Sequence, residues 1–428
     1  MKHCNRAYDA YLTGTILIED RYFLNVLEKR HALVVGAGIA GPAIAYFLHR
    51  YGVEPVVVER SPELRSGGQT LDIRDPSARE VVRRMGIENA IRERLTNERG
   101  LLLLDRKGRT QVAFSADALG GQGFISDIEI LRNELVNVLY ERTRNNIEYI
   151  FGDHPVSIND QKDQVQVTFA SGKSHEFDLV IGADGIGSKT RRLIFGDKSP
   201  MNYLNVYIAY FTIPSTPSDN NWARWYNATK GRTILIRPDG QGTMRVSLSF
   251  RSPQCGYENL TEDKKKEVLQ KVFHDAGFET PRILHELMNT NEFYFEAIGQ
   301  VKMDHWSKGR VALVGDAAYC PAPITGMGTS LALIGAYILT GELARSQNHI
   351  EAFKQYEDLM RPHVVKAQKL FPMATRIAAP DTATAIYVRN VLVSVAAKIF
   401  NTRFAAKMLE EKFDNTSSLP DYESLSLR

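Results

Sequence analysis

A short apolar run, Ala32 to Val35, ends on Gly36-Ala-Gly38-Ile-Ala-Gly41. This order constrains the fold more than any other feature of the chain. Continuous apolarity marks a strand covered on both faces, as in a parallel sheet between helices. The glycines then demand a tight turn, a backbone that a ligand can approach closely, and a helix packed hard against the strand. Far downstream, Gly309-Arg-Val-Ala-Leu-Val-Gly-Asp316 repeats the device: an apolar run, Val311 to Val314, ends at Gly315 and delivers the Asp316 carboxylate to a strand tip. Ligands of open α/β sheets bind at such tips. Together the two tips point to one dinucleotide held at both ends.

Around the first motif the chain reads as a βαβ unit, with a strand His31 to Val35, a helix Pro42 to Tyr51 and a second parallel strand Val53 to Glu59. The helix N-terminus turns its N–H groups and positive dipole end toward phosphates. Glu59, at the tip of the second strand, suits ribose hydroxyls and repels a 2′-phosphate, which argues against NADP in that pocket. Asp178-Leu-Val-Ile-Gly-Ala-Asp184 reads as another buried strand, and Gly326-Met-Gly328-Thr329-Ser330 opens a further helix running to Arg345. A second glycine-preceded helix N-terminus, beyond the one a pyrophosphate needs, suggests an electron-accepting group such as a flavin ring.

The middle of the chain has a different period. Met244, Val246, Leu248 and Phe250 alternate with Arg245, Ser247 and Ser249, the pattern of a half-buried antiparallel strand. Tyr203 to Ile213 and Thr233 to Arg237 are also strand-like, and Val165 to Lys173 reads as a hairpin. The expected fold is α/β: a Rossmann-like, GxGxxG-type domain with an inserted antiparallel β-sheet domain and C-terminal helices. Residues 1–30 form an extension, 31–199 and 301–345 the two parts of the nucleotide domain, 200–300 the insertion and 346–428 a helical region, with helices expected over Ile350 to Phe371 and Thr382 to Phe413.

With 428 residues, 43% of them hydrophobic and 24% charged, the chain can bury an ample core. A net charge of +3 and the lack of a basic stripe give no support to nucleic-acid binding. Cys4, Cys255 and Cys320 form no CxxC, and the histidines form no HExxH or HxxxH pair, so neither a disulfide framework nor a metal site is expected. Leu12 to Ile18 is too short and polar for a signal peptide, and no run approaches a membrane-spanning length. A reducing, cytoplasmic setting without stable membrane insertion is expected.

The three motifs, Gly36–Gly41, the "DG" stretch Asp178 to Arg191 and the "GD" stretch Gly309 to Asp316, resemble in order and spacing the single-component FAD-dependent aromatic monooxygenases, the class of para-hydroxybenzoate hydroxylase. Within that class, Gly67-Gly-Gln-Thr-Leu-Asp72 is similar to the tetracycline-inactivating monooxygenases and to flavin monooxygenases of secondary metabolism. The resemblance implies bound FAD, NADPH or NADH as transient reductant, and oxygen transfer from O2 through a flavin C4a-hydroperoxide to an aromatic or polycyclic small molecule. It implies cofactor roles for Gly36, Gly38, Gly41, Glu59, Arg132, Asp184, Gly185, Arg191, Asp316, Gly326, Gly328 and Thr329, a place for Asp72 near the flavin, and NADPH contact for Arg65. It implies no separate NAD(P)H domain, and a monomer or homodimer.

The chain departs from that class at Tyr319, Ala322, Met327 and Ser330, where histidine, proline, glutamine and asparagine are usual, and these residues are expected beside the flavin ring. On the inserted sheet, Tyr210, Arg224, Tyr226 and Arg237 are candidates for handling a substrate proton or oxyanion, with Arg224 and Tyr210 taken as catalytic. Trp222, Trp225 and Phe250 are candidates for the pocket face. A halogenase is disfavoured, because Trp222-Ala-Arg-Trp225 has the wrong spacing for its WxWxIP motif. A non-oxygenating flavoprotein reductase or dehydrogenase and a flavin-bound sequestration protein remain alternatives.

Overall fold

The computed structural model describes residues 30–115, 128–196, 201–346, 348–371, 373–400 and 419–426. The N-terminal extension therefore lies, apart from Arg30, outside the described residues, as does the end of the last expected helix beyond Phe400.

A six-stranded sheet forms the base of the nucleotide-binding part, in the order Ser307–Lys308, Val311–Leu313, Leu179–Gly182, His31–Val35, Glu54–Glu59, Glu148–Phe151. All pairs are parallel except the edge pair Ser307–Lys308 with Val311–Leu313. The register places Val35 beside Val58 and Gly182, and Gly182 beside Leu313. The tips that carry Gly36, Glu59, Asp184 and Asp316 thus emerge at one edge of the sheet. Helices Ala40–Arg50 and Gly328–Arg345 pack on one face through Ala32, Val34, Ile181 and Ala312. The opposite face was expected to meet helices as well. It is covered instead by a three-stranded antiparallel sheet, Pro155–Asp160, Val165–Phe169 and Ser174–Phe177, whose Val165, Val167 and Phe177 pack on Leu33, Val35 and Val180. Val165–Lys173 does turn as a hairpin, with Gly172 at φ +85°.

The alternating strands build a seven-stranded sheet in the order Phe293–Val301, Met201–Pro214, Thr243–Arg251, Arg232–Pro238, Trp222–Ala228, Gly100–Leu104, Thr110–Ser115. The last two strands come from the stretch assigned in sequence to the nucleotide domain. They join through a parallel pairing of Gly100–Leu104 with Trp222–Ala228. Such pairing leaves no local turn signal. One face of the sheet carries Tyr207, Ala209, Phe211, Ile234, Val246, Leu248 and Phe250 and is sealed by helices Glu262–Phe273 and Thr280–Asn289 through Leu269, Phe273, Ile283 and Leu287. The other face turns toward the nucleotide-binding part.

The C-terminal end is anchored through an aromatic plug. Tyr422 is fully buried beside Tyr337, with ring centroids 5.1 Å apart, and its hydroxyl donates to the buried carboxylate of Glu342. The slot exists because position 341 is glycine: a Cβ there would stand 2.1 Å from the Tyr422 ring. Tyr337 also donates to the Pro420 carbonyl at 2.9 Å. Tyr422→Ala is expected to lower the free energy of unfolding by about 3–5 kcal/mol, the cost of deleting a buried aromatic ring, as read from the urea midpoint at unchanged m-value.

Candidate functional site

The glycine turn is built by contact. Gly36 has φ +106° and donates its N–H to the Val58 carbonyl at 2.7 Å. A Cβ on Gly41 would lie 1.8 Å from the Gly36 carbonyl oxygen, so no side chain can stand there. Glu59 accepts from the backbone N–H groups of Ala37 and Ser61, each at 2.9 Å, which fixes its carboxylate at the mouth of the turn.

Arg132 opens the helix Arg132–Thr143, directly after a short ribbon formed by Thr70–Asp72 and Glu129–Leu131. Its guanidinium stands over Gly38, 3.6 Å from where a Cβ would be, and its stem fills the space beside Gly68. The guanidinium makes no hydrogen bond or ion pair to any described residue, while the backbone N–H donates to the Gln69 carbonyl at 3.0 Å. Burial and the neighbouring Arg65 destabilise its charge, while Tyr294, Asp316 and Glu59 favour it. A cation in this position, above a glycine turn and between two carboxylates, is matched to a diphosphate. Arg65 itself is exposed on the loop that precedes Gly67.

The DG stretch turns out to be internally tied. Asp184 accepts from the hydroxyl of Ser188 and from the N–H and hydroxyl of Thr190, the latter two at 3.0 and 3.1 Å. Gly185, at φ +79°, makes the turn between. Arg191 is buried and donates to the Ala317 and Ile186 carbonyls at 2.8 and 2.7 Å. It thereby holds the DG loop against the short helix Asp316–Tyr319. These bonds commit Asp184 and the Arg191 terminal nitrogens to protein partners.

Asp316 follows Gly315, which has φ +67°. Burial pushes the carboxyl up from its ordinary range, while a hydrogen bond with Cys320 and the charge of Arg132 pull it down. Gly326, at φ +65°, and Met327 lead into the helix Gly328–Arg345, whose first turn buries Thr329 and Ser330. The Ser330 hydroxyl is buried with no partner among the described residues. A Cβ on Gly328 would sit 3.9 Å from Asp316 Oδ1, so the glycine opens the space in front of this carboxylate. Tyr319, expected beside the ring, points into the core instead. It packs edge-on against Trp306 at 4.7 Å, and its hydroxyl accepts from Tyr356 at 3.0 Å. The bare Gly335 admits that hydroxyl, since a Cβ would lie 2.0 Å from it.

Cross-strand register fixes the floor of the cleft. One row runs Tyr294, Tyr210, Ser247, Leu235, Trp225, Leu103 across six strands. Glu296, Ile208, Ser249, Thr233 and Asn227 form the row beside it, and Thr212, Arg245 and Arg237 the row on the other side. Tyr210 is therefore on the floor, stacked on Tyr294 at 6.4 Å, and burial and Glu296 push its hydroxyl far up from the ordinary tyrosine range. Trp225 is there too, and its indole N–H is buried without a partner among the described residues.

Arg224 does not share this face. Successive residues of a strand alternate sides, and Arg224 turns to the helix-covered side, where it ion-pairs with Asp219 and Glu279 and lies over the Phe278 ring at 5.7 Å. It cannot contact a substrate on the floor. Phe250 and Tyr226 lie on the same helix-covered side, Tyr226 donating to the Ala276 carbonyl at 2.6 Å. Trp222 packs over Gly100, where a Cβ would meet its ring at 2.2 Å.

Arg237 faces the floor but is saturated by two buried carboxylates, Glu98 at 2.9 Å and Glu129 at 2.7 Å. Asp72 sits opposite Glu129 in the ribbon and pairs with Arg74 at 2.9 Å. One oxygen each of Asp72, Glu98 and Glu129 is buried without a partner among the described residues. Burial pushes Glu129 up, Arg237 opposes, and Glu98 and Asp72 add to the rise. The sequence reading missed Glu296 altogether. It lies on the floor near Asp316, and burial pushes it up to about 7, with Tyr294 and Arg132 pulling down and Asp316 pushing further up.

Residues 29–369 match the FAD binding domain family. A flavin-dependent monooxygenase of Legionella longbeachae is 39% identical over 340 residues, spanning 79% of this chain and 86% of that protein. The FAD-dependent monooxygenase asL6 of Sarocladium schorii is 32% identical over 426 residues, spanning 92% of this chain and 98% of its own length. Among solved structures, tetracycline destructase Tet(51) is similar with a TM-score of 0.77 at 33% identity, covering 92% of this chain and 100% of that one. Klebsiella pneumoniae HpxO, solved with FAD and uric acid, shares the fold with a TM-score of 0.69 at 20% identity, over 89% of this chain and 97% of that one.

Two substitutions separate the cleft from the helix-covered face. Arg132→Ala is expected to weaken FAD binding about 10- to 100-fold, the loss of charge-assisted hydrogen bonds, in a fluorescence titration of apoprotein with FAD. Arg224→Ala should leave that affinity unchanged but lower stability by about 3 kcal/mol, because Asp219 and Glu279 lose a buried partner. A third concerns pH. Burial raises the Glu129 carboxyl above its unfolded value even beside Arg237, so the folded state holds that proton more tightly, and the stability it contributes is full below the ordinary carboxylate range and falls as pH rises through the folded value. Glu129→Gln should flatten that fall, which urea midpoints at mildly acidic and mildly alkaline pH would reveal.

Proposed function

This chain belongs to the FAD binding domain family as an FAD-dependent monooxygenase, and from that premise we propose that it inserts one oxygen atom of O2 into an aromatic or polycyclic small molecule, using NADPH or NADH as reductant. The carrying observation is the juxtaposition of two surfaces: the strand tips with Arg132 and Asp316 on one side, and the Tyr294–Tyr210–Ser247–Leu235–Trp225 row on the other.

The residues fit FAD. The Gly36–Gly41 turn and its helix end, with Arg132 above them, would take the diphosphate. Glu59 would take the adenosine ribose. Asp316 would take the ribityl hydroxyls, and the first turn of Gly328–Arg345, with the unpartnered Ser330 hydroxyl, the polar edge of the ring. When bound, the flavin supplies the activation of O2 and the delivery of one oxygen atom. The protein orients the substrate and keeps water out. A flat ring seated on the floor row would meet Leu235 and Trp225 at one end and Tyr210 with Tyr294 at the other, with the buried Trp225 N–H free to donate to a polar substituent. A phenolic or enolic substrate is favoured, because ionisation of such a hydroxyl enriches the carbon that receives oxygen. Tetracycline destructase Tet(51), similar over nearly the whole chain, is named for a polycyclic target, which supports the upper size of that class.

The test uses purified, FAD-reconstituted protein with NADPH or NADH and a panel of phenols and polycyclic enols under labelled O2. The expected outcome is substrate-dependent oxidation of the reductant and a product carrying one labelled oxygen. Reductant oxidation that yields only hydrogen peroxide across the panel would reject the oxygenation of this substrate class.

A further inference from the structure

Glu296 is a half-buried floor carboxylate that faces no cation in an ion pair among the described residues. Its strand neighbours Phe295 and Ala297 point into the helix-covered core, so the two-residue period of the strand turns Glu296 toward the cleft. Buried carboxylates are ordinarily ion-paired. Glu98, Glu129 and Glu342 all pair with arginines. Glu296 pairs with none among the described residues. Its one hydrogen bond comes from the Tyr294 hydroxyl, at 2.8 Å to Oε2. Its other oxygen takes no hydrogen bond from a described residue.

The groups around it are few and come from four elements. Tyr294 lies on its own strand and Tyr210 on the adjacent one. Asp316 and Cys320 belong to the segment that follows the Val311–Leu313 strand, and Arg132 heads its helix. Asp316 and Arg132 oppose each other in their effect, so burial dominates. Tyr210 cannot serve as a base near neutrality, since its own hydroxyl is pushed far up. Arg224 faces the wrong way. A proton acceptor works best when its proton affinity matches the working pH, and among the floor residues only Glu296 meets that condition.

We propose that Glu296 is the catalytic base of the cleft, taking the proton from the substrate's ring hydroxyl, and that Tyr294 is its outlet to solvent. The proposal rests on the phenolic or enolic substrate inferred above. In the step, the substrate O–H bond breaks and a new O–H bond forms at the free oxygen of Glu296. The electron pair stays on the substrate oxygen and enriches the ring, and nothing is oxidised or reduced. The carboxyl then rotates to bring this proton to Tyr294, whose hydroxyl accepts it while giving up its own proton to water. Tyr294 is 46% exposed, so the proton can pass on to bulk water and leave the carboxylate ready again.

Infrared difference spectroscopy on the FAD-loaded protein, without substrate, tests the acceptor directly. Wild type and Glu296→Gln are titrated between about pH 5 and about pH 9, a range that brackets a carboxyl raised by burial. The expected result is a protonated-carboxyl component that disappears near pH 7 in wild type and is missing from Glu296→Gln, above the background that Glu129 gives in both proteins. A wild-type titration that superposes on that of Glu296→Gln overturns the proposal. Equal flavin absorbance per protein in both samples shows that the cleft is intact.

Turnover supplies the second arm. Glu296→Gln should lose about 10²- to 10⁴-fold in kcat, the usual worth of a general base, with KM little changed and the acidic limb of the pH profile gone. Glu296→Asp should regain part of the rate, and Tyr294→Phe should slow turnover less than Glu296→Gln does. Unaltered kcat and pH profile in Glu296→Gln would overturn the proposal. Failure of wild type to oxygenate any substrate would instead count against the reading of the function, and the infrared titration would still decide whether Glu296 exchanges a proton.

Discussion

The contact between Gly41 and the Gly36 carbonyl sets the position of everything else. With 1.8 Å between that oxygen and where a Cβ would stand, the helix Ala40–Arg50 is seated on the strand as closely as a backbone allows. That seating points the helix end at the strand tips. Gly36 is pressed in turn against Ala183, where its own Cβ would meet the carbonyl oxygen at 2.7 Å, so the neighbouring strand is drawn in as well. Ala183 precedes Asp184, whose loop is locked by Ser188 and Thr190 and clamped by Arg191 to the Asp316 segment. A chain of close approaches thus fixes the distance between the two ends of the cleft.

Much of this was readable from local order. The apolar runs at Ala32, Leu179 and Val311 became adjacent parallel strands, and Gly36 and Gly41 after the first of them stand in close approach to backbone. The alternation from Met244 to Phe250 came through as written, with Met244, Val246, Leu248 and Phe250 buried. Other features depended on information the local sequence does not hold. The pairing of Gly100–Leu104 with Trp222–Ala228 joins segments far apart in the chain without a turn between them. The side of a strand that meets the cofactor is also not a local property. Arg224 and Trp225 are neighbours with opposite fates, and the polar side of the sheet, not its most apolar side, faces the nucleotide-binding part. Tyr319 fills a core slot opened by Gly335, a residue one helix away. Glu296 sits in a mixed strand, Phe-Tyr-Phe-Glu-Ala-Ile, where nothing in spacing distinguishes a carboxylate turned to the cleft from a solvated one.

The charged residues divide by the same geometry. Arg191 and Arg237 are spent on backbone carbonyls or paired carboxylates, and they hold loops and strands in place. Arg132 is not spent in this way, and it stands where the glycine turns leave room. Burial of an unpaired guanidinium is costly, and the nearby carboxylates of Glu59 and Asp316 offset part of that cost. The protein keeps this cation where an anion would complete it.

The two-residue period of the seven-stranded sheet has a consequence for how such a protein can diverge. Along Thr243–Arg251, every second residue belongs to the core under the helices, and the residues between them belong to the floor. A change at Ser247 or Ser249 alters what the cleft meets while leaving Val246 and Leu248 packed. The strands therefore carry two nearly independent texts, one read by folding and the other by the substrate. Descendants of such a chain could exchange one text while inheriting the other intact.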